Sequence, residues 1–375
     1  MSAKPQVPVA SRIASLDQFR GYTVAGMFLV NFIGGYAVIH EFFKHNNTYC
    51  SYADTIMPQF FFAVGFAYRL TFLRRLQQQD TWTTWRQAIW RNLGLILLGL
   101  VVYGLDLHPQ SWRELTDLGP LGFIAAAFKD HPWQALVHIG VTGLWVLPVI
   151  SRGASIRLTF MIACAVLHTV ILHLGYHDWV FRVHTSDGGP LGFLTWSIPT
   201  LAGSLAYDIM TAHPGRQALK PLLFWGFLVM LAGYALSCIT TVRQVAGGQI
   251  QSGGLTAWLV EPPFIPPSRP TDLWTMCQRS GSVSYLVFGA GFSLVIYAGF
   301  IVISDMRNLQ VGLFRTFGRN ALAAYLIHGV VGETVGVLIP RDAPLIPVLI
   351  GLLLFFTITY LFVRNLEKNN IFLRL

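Results

Sequence analysis

The sequence predicts an all-α fold class: a polytopic integral membrane helical bundle with about ten transmembrane helices and both termini in the cytoplasm. Of its 375 residues, 54% are hydrophobic and only 11% are charged. Soluble globular domains carry about 25% charged residues, so this chain has too few charges to cover a globule in water. The formal charge of +9 comes from basic residues in the loops and does not indicate nucleic-acid binding. Composition therefore excludes an ordinary soluble protein.

Ten apolar stretches are long enough to cross the ~30 Å hydrocarbon layer at ~1.5 Å per residue. They lie at about 20–39, 55–73, 88–105, 134–151, 156–175, 189–210, 220–241, 282–304, 315–338 and 344–363. A shorter apolar segment, Gly119–Phe128, is more typical of a re-entrant or interfacial element. The N-terminal residues lack the apolar stretch and cleavage site of a signal peptide, so we expect the first span to be uncleaved.

The distribution of Lys and Arg predicts the orientation of the bundle. With the N-terminus inside, the inner segments carry 18 of the 26 basic residues and the outer loops carry 8. We expect one domain over residues 1–375, with a cytoplasmic tail at 1–19 and a long extracytoplasmic loop at 242–281. That loop is rich in Gly and Pro, yet its aromatic residues favour a packed lid over a floppy linker.

A polar turn between the first two spans contains the strongest candidates for a reaction site. Asn31 lies midway along an apolar span, where a polar group is costly and usually functional. The imidazole of His45 can take a proton from an amine or hydroxyl, or carry an acyl group itself. Asp54 precedes the second span, where it can both cap the helix and orient the imidazole. Simpler interpretations exist for two of these residues. His45 can be a loop histidine that is hydrogen-bonded to water, and Asn31 can form a hydrogen bond with a neighbouring helix.

The ninth span contains a second group of polar residues. Tyr325 and His328 are one turn apart, and Asn320 lies a little more than two turns from His328. All three side chains can therefore point to one side of the helix. The pattern predicts a helix that lines the same cavity as Asn31.

The inner loop 69–91 contains five Arg residues and three Trp residues. They are Arg69, Arg74, Arg75, Arg86 and Arg91, with Trp82, Trp85 and Trp90 between them. The favoured interpretation is a cytoplasmic loop with an aromatic belt. The sharper interpretation is a docking surface for a cytoplasmic phosphorylated ligand, with Arg75 and Arg86 as contacts, because Arg binds phosphate through two hydrogen bonds.

Cysteine and histidine usage predicts neither a metal site nor a disulfide framework. The chain has four Cys residues, and no His, Cys or Asp cluster has convincing metal-ligand spacing. Cys50 and Cys277 both fall in loops and can pair, although nothing in their spacing requires it. We therefore expect no metal cofactor.

Several motifs along the chain resemble the heparan-alpha-glucosaminide N-acetyltransferase family of transmembrane acyltransferases. The most specific are SLDQFRG, LVNFIGG, FFKH followed by YADTIMPQFFFAVG, and GRNALAAYLIHGVV in the ninth span. Weaker matches, including TDLWTM with Trp274, extend the resemblance over nearly the whole chain. The ten predicted spans agree with a bacterial-type member of the family that lacks the luminal domain of the animal enzyme.

The resemblance implies acetyl transfer across a membrane, the expected location being the cytoplasmic membrane of a bacterium. Acetyl-CoA supplies the acetyl group from the cytoplasm, and an extracytoplasmic amino sugar or glycan accepts it. The active-site histidine of the family corresponds to His45, its partners to Asn31 and Asp54, and its late polar pair to Asn320 and His328. Whether the histidine carries the acetyl group or acts as a general base stays open.

Two other functions fit the residues. A transporter or permease for a small polar or sugar-like solute can use the same polar groups as a midplane site, which predicts inverted repeats and discontinuous helices. A receptor or scaffold leaves the polar groups of the ninth span unexplained. The expected partners are acetyl-CoA, a glycan or amino-sugar acceptor and the lipid bilayer, with a homodimer as a further candidate and no nucleic acid.

Overall fold

The computed structural model describes residues 13–103, 109–127, 132–183, 185–248, 258–268 and 272–373. These residues form fourteen α-helices, and none of them lies in a β-strand. The helices are α1 (Ala14–Ile33), α2 (Tyr52–Gln78), α3 (Thr81–Tyr103), α4 (Trp112–Ala127), α5 (Ala135–Val146), α6 (Ala154–Ile171), α7 (His177–Val183), α8 (Phe193–Ala212), α9 (Leu219–Ser237), α10 (Ile239–Ala246), α11 (Val283–Phe300), α12 (Gly312–Arg319), α13 (Ala321–Gly336) and α14 (Leu345–Lys368). The all-α prediction is confirmed.

Five helical segments of the described chain are long and apolar enough to cross a membrane. They are Tyr52–Gln78, Ala154–Val183, Gly215–Ala246, Val283–Met306 and Leu345–Lys368. A helix overlaps each of the ten predicted apolar stretches, but the number of spans and the location of both termini stay predictions. Most of the predicted tail lies outside the described residues, and α1 already begins at Ala14.

Helix α2 lies at the centre of the bundle and packs closely against α8. A Cβ atom at Gly65 would lie 1.8 Å from the carbonyl oxygen of Thr200, and one at Gly203 would lie 2.0 Å from that of Phe62. Only glycine allows two helix backbones to come this close, as at the small-residue contacts between membrane helices. This approach fixes α2 against α8.

A buried ion-pair network joins α2, α6 and α8 near the C-terminal end of α2. Arg69 Nε donates to Asp208 Oδ1 at 2.6 Å, and Arg69 Nη1 donates to the Ile150 carbonyl oxygen at 2.5 Å. The fully buried Arg157 donates to Ser204 Oγ at 2.6 Å and pairs with Asp208. Buried charges persist only when they are paired and hydrogen-bonded, so these residues hold three helices together. Arg69 is therefore an anchor and not a ligand contact.

The described part of the long loop at 242–281 packs against the turn between α1 and α2 and against α11. The backbone N–H of Phe264 donates to the Cys50 carbonyl oxygen at 2.9 Å, and the Phe264 ring lies 6.1 Å from that of Phe288. Residues 249–257 and 269–271 of this loop lie outside the described residues. Cys50 and Cys277 are unbonded thiols, and Cys277 Sγ donates to the Asn47 carbonyl oxygen at 2.7 Å. The structure contains no disulfide between these two thiols, and the role of the loop as a lid stays a prediction.

Candidate active site

The start of α2 holds Asp54 in place. The backbone N–H of Ser51 donates to Asp54 Oδ2 at 2.9 Å, and Ser51 Oγ accepts from the Asp54 N–H at 3.3 Å. This reciprocal pair is a capping box, which satisfies N–H groups that a helix start otherwise leaves without partners. Ser51 Oγ also donates to Asp54 Oδ2 at 2.9 Å. The cap therefore uses one carboxylate oxygen and leaves Oδ1 for another partner.

The imidazole of His45 lies between Asp54 and Asn31. His45 Nδ1 is 2.9 Å from Asp54 Oδ1, and His45 Nε2 is 3.3 Å from Asn31 Oδ1. Because a carboxylate only accepts hydrogen bonds, Nδ1 carries a proton and donates it to Asp54. In the neutral ring Nε2 then has the lone pair, and in the charged ring it donates to Asn31. The structure brings these three predicted residues together, and their chemical roles stay predictions.

The surroundings of His45 favour its protonated form. Burial is the largest single influence and lowers the pKa of His45, but the hydrogen bond and the negative charge of Asp54, together with Asp187 and Gln278, outweigh it. The net pKa lies above the usual value of 6.5. Desolvation and the nearby acceptors thus act in opposite directions, and the acceptors together dominate. The side chain keeps 41% of its surface accessible because it borders a cavity.

That cavity has a volume of about 990 Å³ and follows one face of α2. Its wall on α2 runs from Ala53 to Arg75, with small side chains such as Ala63 and Ala67 that leave room beside the helix. At ~1.5 Å per residue this face is about 33 Å long, which matches the thickness of a bilayer core. Ligand pockets usually measure about 300–1,000 Å³, so this one is among the large ones.

The two ends of the cavity differ in chemistry. The end near His45 is polar, with Asn31, Asn47, Ser186, Asp187, Gln278 and Arg279 in its wall. The opposite end is mostly basic, with Arg20, Arg74, Arg75, Arg91 and Arg319, beside Asp17, which pairs with Arg20. A second cavity of about 460 Å³ is lined by Arg75, Arg86, Gln87, Trp90 and Arg91, and so shares two arginines with the first. Clustered guanidinium groups are suited to phosphate binding, which favours the docking interpretation of the inner loop.

The structure brings only one of the three predicted residues of the ninth span to the cavity wall. Tyr325 lines the cavity. Asn320 Nδ2 instead donates to the Ile371 carbonyl oxygen at 2.9 Å and so holds the C-terminal segment. His328 stacks on Phe28 with ring centroids 4.4 Å apart. The backbone at Asn320 is non-helical (φ −131°, ψ 48°) and separates α12 from α13, so Asn320 does not share a face with Tyr325 and His328. Those two side chains do lie on one side of α13, with ring centroids 5.0 Å apart.

Trp274 also lies outside the cavity wall. The backbone N–H of Trp274 donates to Asp272 Oδ1 at 2.8 Å, and the centre of its ring lies 5.9 Å from that of His173. Sequence reasoning missed Asp187 and Gln278, which the fold places beside His45. The one local signal was the Asp-Gly-Gly-Pro turn that begins at Asp187, a dense run of turn residues just before an apolar helix.

Comparison with curated proteins gives a consistent picture. Heparan-alpha-glucosaminide N-acetyltransferase from Homo sapiens is 25% identical over an alignment of 370 residues that covers 85% of this chain. The resemblance to this family is confirmed. Heparan-alpha-glucosaminide N-acetyltransferase from Mus musculus is 28% identical over 135 residues, or 33% of the chain. The chain spans about half the length of the human relative, 53%, and no family model matches it.

Proposed function

We propose that the chain is a membrane acetyltransferase that moves an acetyl group from cytoplasmic acetyl-CoA to an amino sugar or glycan on the other side. The observation that carries the proposal is the single cavity that joins a basic end to the His45 end along the length of α2. The name of the human relative, which describes acetyl transfer to a glucosaminide, supports it. About ten spans, two cytoplasmic termini and a bacterial inner membrane are part of the proposal, whereas a homodimer is not needed for it.

The walls of the cavity suit the three parts of acetyl-CoA. The arginines of the basic end can hold the phosphates of the nucleotide portion. The apolar side chains in the middle, such as Phe60 and Val64, can contact the flexible arm. The thioester then reaches the end of the cavity that His45 borders, where an acceptor from the other side can meet it. Reaction across the bilayer needs no movement of the acceptor through the protein.

The pair of His45 and Asp54 can supply the proton transfers of the reaction. In direct transfer, the amine nitrogen attacks the thioester carbonyl carbon, and a C–N bond forms as the C–S bond breaks. His45 Nε2 takes one amine proton and returns it to the departing sulfur, which leaves as the CoA thiol. In the covalent route, Nε2 attacks the thioester carbon, and the C–S bond breaks to release CoA as a thiolate. The amine nitrogen then attacks the acetyl group, the bond from carbon to Nε2 breaks, and one amine proton goes to the freed Nε2 and from there to the thiolate. In both routes Asp54 holds the Nδ1 proton and stabilises the positive ring.

Purified protein in lipid nanodiscs, incubated with radiolabelled acetyl-CoA and glucosamine, tests the proposal. We expect labelled N-acetylglucosamine together with an equal amount of free CoA thiol. If the protein neither binds acetyl-CoA nor transfers or hydrolyses its acetyl group, the proposal is overturned. Uptake of unmodified glucosamine into proteoliposomes would instead support the transporter.

The variant Asp54→Asn is expected to change the pH dependence of acetyl transfer. Only the neutral ring of His45 can act as base or nucleophile, so wild-type kcat/KM should fall as pH drops through a pKa above 6.5. Asparagine removes the charge that raises this pKa, so the acid limb should move to lower pH while the maximal rate falls about 10²- to 10⁴-fold. The measurement is kcat/KM from pH 5 to 9.

The variant Ser51→Ala is the matched control because it weakens the same helix cap, at a cost of ~1 kcal/mol, and keeps the carboxylate. It should lower thermal stability and leave the acid limb above 6.5. An acid limb that stays in place in Asp54→Asn would contradict the proposed role of Asp54.

A further inference from the structure

Asp187 is a buried carboxylate at the His45 end of the cavity that the chemistry described above does not use. It lies in the loop before α8, and only 7% of its surface is exposed. It belongs to the cavity wall together with His45, Asn31 and Gln278. Its charge is close enough to His45 to raise the pKa of that ring. A carboxylate in this position faces the space where an acceptor would meet the thioester.

The backbone around Asp187 is held in an uncommon conformation. Asp187 has φ 56°, in the left-handed region that few residues other than glycine adopt. Two hydrogen bonds stabilise the loop: Trp196 Nε1 donates to the Asp187 carbonyl oxygen at 2.8 Å, and the Gly188 N–H donates to the Arg279 carbonyl oxygen at 2.9 Å. Such strained residues cluster at functional sites, where the surrounding structure over-determines their position. The loop therefore holds the Asp187 side chain in a defined position, in addition to connecting two helices.

The carboxylate is only half satisfied by the protein. Gln278 Nε2 donates to Asp187 Oδ1 at 2.8 Å, and no described protein group donates to Oδ2. Buried carboxylates usually accept hydrogen bonds at both oxygens, so an oxygen left open towards a cavity is suited to a ligand with N–H donors. Arg279, an arginine on the same wall, lies with its guanidinium 5.6 Å from the centre of the Phe181 ring. Asp187 thus has capacity for a positively charged partner.

We propose that Asp187 binds the ammonium group of the acceptor and takes its first proton, so that it selects primary amines over hydroxyl compounds. This inference rests on the proposed acetyltransferase function. An amine whose pKa resembles that of an α-amino group, about 7.7–8.0, is mostly an ammonium ion at pH 7 and has no lone pair for attack. One of its protons moves to the Asp187 carboxylate. The nitrogen then forms the C–N bond, and its second proton goes to His45 as before.

The electrostatic surroundings suit this role. Burial raises the pKa of Asp187 to about 6, although Gln278 and the charge of His45 act to lower it, and Asp54 adds to the rise. Tyr176 faces the other side of the loop, where its hydroxyl donates to a loop carbonyl at 2.8 Å. A carboxylate with a raised pKa is still ionised at pH 7 and accepts a proton more readily than an exposed one. It can therefore first attract the ammonium group and then deprotonate it.

The test compares Asp187→Asn with wild type, with glucosamine as the acceptor. Asparagine has the same shape and tolerates a left-handed backbone, so the loop should keep its conformation. At pH 7 we expect kcat/KM for glucosamine to fall at least 100-fold, while the Kd for acetyl-CoA stays within twofold. At pH 9 the free amine is abundant. The ratio of kcat/KM of the variant to that of wild type should therefore be at least tenfold higher at pH 9 than at pH 7. The control Asp178→Asn removes a carboxylate whose side chain is 81% exposed and should change nothing.

Two results would overturn the inference while leaving the acetyltransferase proposal intact. One is a kcat/KM of Asp187→Asn within threefold of wild type at pH 7. The other is an equal loss at pH 7 and pH 9, which indicates a structural role. A wild-type measurement decides the case if the variant does not fold: glucosamine should inhibit acetylation of a second amine at concentrations at least tenfold lower than glucose does. Equal inhibition by the two sugars rejects the role, and a wild type without any acetyl transfer rejects both proposals.

Discussion

Acetyl transfer is expected to fall about 10²- to 10⁴-fold when His45 is replaced by alanine. The ring is the only described group that lies both on the cavity wall and within hydrogen-bond distance of Asp54 and Asn31. Its loss removes the base or nucleophile, but it leaves the arginines at the far end of the cavity unchanged. The measurement is kcat with acetyl-CoA and glucosamine, together with the Kd for acetyl-CoA, which should stay within a few-fold of the wild-type value.

The variant His40→Ala is the matched control for this experiment. His40 lies in the same turn, is exposed, and accepts a hydrogen bond from the Phe42 N–H at 3.1 Å without touching the cavity. It should keep wild-type activity. If His45→Ala keeps more than a tenth of the wild-type kcat, or if both variants lose activity equally, His45 is not the reacting group. Rapid quenching of wild-type protein with labelled acetyl-CoA alone then separates the two routes, because only the covalent route leaves label on His45.

The second large effect is expected at the basic end of the cavity. Arg75 borders both cavities, so its replacement by alanine removes a contact that two neighbouring pockets share. Hydrogen bonds to charged groups contribute about 1.5–3 kcal/mol each, which corresponds to an increase of about 10- to 100-fold in the KM for acetyl-CoA. The same variant should change the KM for acetyl-pantetheine much less, because that donor lacks the nucleotide phosphates.

The variant Arg113→Ala serves as the control for charge alone. Its side chain is 91% exposed on α4, so it removes one positive charge without touching either cavity. Its KM values should equal those of wild type. An equal rise of KM for acetyl-CoA and acetyl-pantetheine in Arg75→Ala would show that the arginine does not bind phosphate. Acetyl-CoA would then have to bind in the opposite orientation, with its nucleotide portion away from Arg75.

Much of the site near His45 could be predicted because its parts are close together in the chain. Asp54 had to be near the start of a helix, and a helix start fixes a capping carboxylate whatever the tertiary structure. The structure corrects the predicted place of Asn31: α1 ends at Ile33, so Asn31 is near the end of the helix and not midway along a span, and residues 34–51 bring His45 back beside it. Local geometry thus determined this constellation.

The ninth span shows the limit of pattern reasoning. The periodicity that placed Asn320, Tyr325 and His328 on one face assumes an unbroken helix. The backbone leaves helical geometry at Asn320, so Asn320 no longer shares a face with Tyr325 and His328, which stay together on α13. Asn320 then serves the C-terminal segment, and His328 packs on Phe28 in the core. A kink of this kind depends on packing between helices, which a single sequence does not reveal.

Composition and local sequence suffice to predict the all-α class, the approximate positions of the apolar helices and the grouping of His45, Asp54 and Asn31. These features are predictable because insertion of an apolar segment into a bilayer and capping of a helix depend on residues that are close together in the chain. The three-dimensional fold is needed to see that Asp187 and Gln278 lie beside His45, and that one cavity extends from them to Arg75 and Arg91. Those contacts join residues far apart in the chain, and they depend on how each helix is rotated against its neighbours.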